Sequence, residues 1–185
     1  MKRIILLFIG LMVFVGCSSP EEKAEKEDLT KLESLGFDDD NAQAFYNFSN
    51  STKIIFKKMN SINDELEKNN FIVPEKDYKE IETAVSVSKS AYEKMDPQNA
   101  DEYFSFLADN SNSSPLLILE RSQDLHKKME SLDAALILNG YQQFLDNSIT
   151  SSKIPDEKKD DVNKWFHSNN EYTGIFKKVF NENSD

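Results

Sequence analysis

The sequence predicts an all-α protein: an irregular up-down bundle of about four long helices and one shorter helix, carried behind a leader and an acidic tether. Three observations predict it. Apolar residues return every three or four positions over long stretches, which keeps one face of a helix on its neighbour. Each of the five prolines stands ahead of a helix-forming stretch, where its missing N–H has no partner to lose. Strand-like alternation, and Asn-Gly hairpin signals between alternating runs, are absent.

Composition sets the bounds. Hydrophobic residues make up 38% and aromatics 11%, with thirteen Phe and six Tyr, enough to fill a core. The net charge of −11 becomes −13 when Met1–Gly16, with Lys2 and Arg3, is set aside. Such a chain repels phosphate backbones and anionic lipid, which disfavours nucleic-acid binding and electrostatic membrane docking. One cysteine excludes an intramolecular disulfide, and an exported chain with a single thiol needs a reason for it.

The first element supplies that reason. Met1-Lys2-Arg3 is followed by an apolar run from Ile4 to Val15, twelve residues long and interrupted only by Gly10. As a helix it covers about 18 Å, short of the ~30 Å hydrocarbon core, so it reads as the h-region of a signal peptide. The run ends Phe14-Val15-Gly16-Cys17-Ser18-Ser19, which resembles the lipobox of bacterial lipoprotein precursors. The resemblance implies cleavage between Gly16 and Cys17 and a covalent diacylglyceryl lipid on the Cys17 thiol. It covers residues 1–17 only. It departs from the family at Phe14, where Leu is usual, and at Val15, where Ala or Ser is commoner, which implies slower processing. Acyl chains in pairs anchor stably where one is marginal.

Residues 17–40 read as a lipidated acidic tether. Between Glu21 and Asp40, nine acids face Lys23, Lys26 and Lys31. Ser19-Pro20-Glu21-Glu22 is a helix start, and Gly36 a plausible stop. Residues 41–185 read as the bundle domain, entered through a capping box at Asp40 and Gln43. Its stripes run Phe45, Phe48, Thr52, Ile55, Met59, Ile62, Leu66; then Tyr78, Ile81, Val85, Ser88, Tyr92, Met95. A third runs Ile118, Ser122, Leu125, Met129, Leu132, Leu136, and a fourth Val162, Trp165, Asn169, Tyr172, Phe176, Val179. Asp96 and Ser114, ahead of Pro97 and Pro115, are N-cap candidates, and a short helix from Pro97 to Ala108 packs Tyr103, Phe104 and Leu107 on one end. Gly140 is placed to break the third segment. The polar links are 67–73, 110–113 and 147–154.

Catalytic signatures are missing: nucleophile elbows, glycine-rich phosphate loops and dinucleotide fingerprints do not occur among only five glycines. His126 and His167 are far apart, and no Cys or His partners stand at zinc-ligand spacing. Asp38-Asp39-Asp40-Asn41 fails as a calcium loop, since the twelfth position from Asp38 is Ser49. No metal and no cofactor beyond the Cys17 lipid is expected. Tyr103, Phe106, Trp165 and Phe166 belong to the densest aromatic clusters. Adjacent aromatics on a helix face different ways, so these either fill a core or present partner-binding anchors. The expected role is a non-enzymatic protein-interaction or adaptor module, held outside the cell membrane and facing an envelope protein. Alternatives are a carrier of a small apolar ligand between helices, and a pheromone released from the signal peptide.

Overall fold

A computed structural model describes residues 19–169, with side chains as far as Phe166. Gly16, Cys17, Tyr172, Phe176 and Val179, and the side chains of His167 and Asn169, lie outside the described residues. The fold is all-α. Among the described residues there are seven α-helices, one π-helical turn and no strand.

Helix α1 (Pro20–Ser34) starts as its sequence dictates. Ser19 caps it, with Glu22 N–H donating to Ser19 Oγ (3.1 Å) and Ser19 N–H donating to the Glu22 carboxylate (2.9 Å). It ends at Gly36, whose φ of +104° suits glycine alone, while Phe37 N–H reaches back to the Leu32 carbonyl (3.3 Å). The described part of the segment expected to be an acidic tether, residues 19–40, is largely a helix packed on the domain. Leu32, Leu35 and Phe37 are buried, and the Phe37 ring meets Phe45 edge-on at 4.4 Å. Three apolar residues spaced around a helix end suffice to seat it, despite the acids upstream.

Helix α2 (Asp39–Glu65) is capped by Asp38, whose carboxylate accepts from Asn41 N–H (2.9 Å). The cap therefore lies two residues before the expected Asp40. All seven members of the first stripe are buried. Thr52 sits among them without penalty because its hydroxyl donates to the Phe48 carbonyl (2.7 Å). Helix α3 (Glu75–Met95) returns antiparallel to α2: Lys58 meets Asp77 and Glu80 near one end, and Phe48 meets Tyr92 near the other.

Pro97 does not open a helix. Asp96 closes α3, accepting from Asn99 Nδ2 (2.7 Å), and α4 (Ala100–Phe104) runs into the π-turn Ser105–Asp109. Ser114 does cap α5 (Pro115–Asp124), accepting from Leu117 N–H. The third stripe then fails. The chain leaves the helix at His126 (φ +49°), with Lys127 N–H bonded to the Ser122 carbonyl (3.1 Å). It re-enters at Glu130, whose N–H donates to Asp133 (3.1 Å), to form α6 (Ser131–Ser151). Leu125, Leu132 and Leu136 are exposed, while Leu138, Tyr141, Leu145 and Ser148 face the core. Periodicity missed the break because Leu125 and Met129 stay in phase across it. Helix α7 (Asp156–Asn169) closes the described chain, with Val162, Trp165 and Phe166 buried.

Gly140 does not break α6; it admits a ring. A Cβ there would lie 2.6 Å from Phe106 Cζ. Helix propensity favours Ala over Gly by ~1 kcal/mol, whereas overpacking a core costs about 1–3 kcal/mol. Gly140→Ala is therefore expected to lower stability by about 1 kcal/mol in chemical denaturation, and Phe106→Leu in the same chain to relieve the loss. A more stable Gly140→Ala would refute this packing.

Candidate functional site

The four aromatics singled out from the sequence are core residues. Tyr103, Phe106, Trp165 and Phe166 are all at most 7% exposed. Tyr103 packs on Phe48, Tyr92, Phe106, Tyr141 and Phe144, and Phe166 joins them through Phe48 at 5.9 Å. None is presented to a partner, because the short helix and π-turn carry Tyr103 and Phe106 inward. His126 is exposed, its ring edge-on to Phe71. Asp160 and Asp161 are exposed as well. Among the described residues no three of His, Cys, Asp and Glu gather at metal-binding distance.

A broad concavity lies elsewhere, along the outer seam of α2 and α3. Its main lobe, about 1080 Å³, is lined on α2 by Ser51, Ile54, Lys57 and Lys58 and on α3 by Lys79, Glu80, Ala84 and Val87. A second lobe of about 290 Å³ shares Asn47, Thr83 and Val87 with it, and continues to Ala44, Ala91 and Lys94. The sequence builds this seam from a second stripe on each helix. Ser51 and Ile54 lie one position before the core residues Thr52 and Ile55, and Ala84, Val87 and Ala91 lie one position before Val85, Ser88 and Tyr92. A one-residue step turns a helical side chain by about 100°, onto the flank of the pair. Small residues at Ala44, Ser51, Ala84 and Ala91 keep the floor low.

Two apolar side chains stand in the groove open to water, Ile54 at 39% and Val87 at 42% exposure. Covering what remains exposed gives on the order of 1 kcal/mol for each. This second stripe was readable in the sequence, but its alanines and serines carry too little hydrophobic contrast to stand out beside Phe48 and Ile55.

Charge edges the groove. Lys58 Nζ bridges Asp77 (2.8 Å) and Glu80 (2.6 Å), and these hydrogen bonds hold its pKa above the ordinary lysine value. Lys57 and Lys94 make no ion pair among the described residues. Five lysines line the two lobes against Glu75 and Glu80, and counting Asp77 behind Lys58 still leaves a surplus of two cations. In a chain of net −11 that is a local reversal of sign.

The strongly displaced titrations among the described residues belong to tyrosines. Burial pushes Tyr78 up to about 12, helped by the bond its hydroxyl donates to Glu120 (2.9 Å). Burial also raises Tyr92 and Tyr103, whose hydroxyls bond to Asp96 and Ser88. Asp28 is raised mainly by burial against α2, partly offset by Lys53.

No family model, curated protein or solved structure matches the chain.

Each of these tyrosines holds its proton more tightly folded than unfolded. Their contribution to stability is complete below pH 10, the unfolded value, and is lost as pH rises toward the folded values. Denaturation midpoints are expected to fall steeply between pH 10 and about 12, in step with tyrosinate absorbance. Tyrosines that all ionise near pH 10 while the helices persist would contradict the burial described.

Proposed function

We propose that the chain is an extracytoplasmic lipoprotein, anchored through acyl chains on Cys17, whose helical domain is a non-enzymatic interaction module at the cell envelope. The observation that carries the interaction role is the α2–α3 groove, with its low apolar floor and the exposed Ile54 and Val87. A groove walled by two antiparallel helices takes a third helix by ridge-into-groove packing. It is open along its length, so it would bury only one side of a small ligand, whereas ligand pockets enclose most of theirs.

The anchor rests on the pattern of residues 1–17, and no helix of the described residues is long and apolar enough to cross a membrane. The cap of α1 begins at Ser19, two residues beyond Cys17, and α1 packs on α2. Two residues span at most about 7 Å. The domain then sits close to the bilayer surface in place of hanging from a long tether, within reach of other envelope proteins.

Two measurements test this. Metabolic labelling with a fatty-acid analogue should mark the wild type, while Cys17→Ala loses the label and appears in the medium; retention of unlabelled Cys17→Ala in the membrane would refute the anchor. A photo-crosslinker at position 54 of the anchored chain should give a discrete protein adduct that the same group at the exposed Leu136 does not. Matching products from both positions would refute the groove as the docking face.

A further inference from the structure

We infer that the occupant of the α2–α3 groove is an acidic amphipathic helix, about 17 residues long, supplied by a different protein. This rests on the groove being the docking face. Length comes from the lining: on α2 it extends from Ala44 to Ser61, which at 1.5 Å per residue is about 26 Å, or nearly five turns of helix. The floor asks for an apolar stripe. Ala44, Ser51, Ala84 and Ala91 let a helix approach closely, and Ile54 and Val87 interdigitate with its side chains.

Sign comes from the rim. Lys57 and Lys94, each without an ion pair among the described residues, lie in different lobes of the groove, on opposite helices. They are placed to meet carboxylates on the flanks of a docked helix. The acidity of the whole chain does not cancel this, because charges beyond about 8 Å are largely screened at physiological ionic strength. What the bound helix senses is the local cationic surplus. A second copy fits less well. Its acidic helix α1 already spends Leu32 on its own core.

The test uses the full chain in nanodiscs of zwitterionic lipid and two synthetic helical peptides of about 18 residues. Both carry leucine at i, i+3, i+4 and i+7; the other positions are mainly glutamate in one and glutamine in the other. Fluorescence anisotropy is expected to show the glutamate peptide binding roughly ten-fold more tightly, a difference of about 1.4 kcal/mol. Lys57→Gln with Lys94→Gln should erase that preference, and Ile54→Asp should weaken both peptides. Equal affinity for the two peptides, or a preference that survives the lysine replacements, would overturn the acidic occupant while leaving the groove as a docking face. Binding of both peptides indifferent to Ile54→Asp would overturn the docking face itself. Concentration-dependent dimerisation abolished by Ile54→Asp would assign the groove to a second copy and overturn the inference.

Discussion

The rings of Tyr92 and Tyr103 stack 4.1 Å apart, and the placement of every helix from α2 to α7 except α5 is bound up with that contact. Tyr103 reaches the centre because a five-residue helix and a π-turn fold the chain inward between α3 and α5. There it meets Phe48 of α2, and Tyr141 and Phe144 of α6; Phe48 in turn meets Phe166 of α7. A Tyr so deep must bond its hydroxyl, and Ser88 on α3 takes that role. Large aromatic truncations in a core cost about 3–5 kcal/mol, against a total stability of about 5–15 kcal/mol. The fold has little margin without this cluster.

The same constraint explains the groove. Because the aromatic cluster lies on one side of the α2–α3 pair, α4, the π-turn, α6 and α7 gather there, and α1 covers part of another face through Leu32, Leu35 and Phe37. The outer seam receives none of these rings. Its alanines and serines are compatible with solvent, yet Ile54 and Val87 gain from cover. Lys58, held by Asp77 and Glu80, ties the two walls together at one end of the seam. A groove formed between helices already packed on each other costs a docking partner little reordering.

Much of this was legible beforehand. The α2 and α3 stripes, the caps at Ser19 and Ser114, and the stop at Gly36 follow from local chemistry, and local chemistry decided them. Failures came where tertiary contact overrode it. Nothing around Leu125 and His126 marks a break, since the stripe continues in phase and His126 enters left-handed backbone without glycine. Gly140 reads as a breaker until Phe106 is placed against it. The acids of residues 21–28 concealed that Leu32, Leu35 and Phe37 anchor α1. The sequence left Tyr103 and Phe106 open to either core or surface, because their burial depends on the π-turn. The groove was missed because small residues give a weak signal.

The central claim joins place to shape: an acylated Cys17 outside the membrane, and a solvent-open groove on the domain it holds. Treating protoplasts that overproduce the chain with a membrane-impermeant maleimide addresses both together, since Cys17 is the one native thiol. The account predicts no labelling of the wild type, whose sulfur is a thioether, and ready labelling of Ile54→Cys. Labelling of the wild type, or of Ile54→Cys only after lysis, would contradict it.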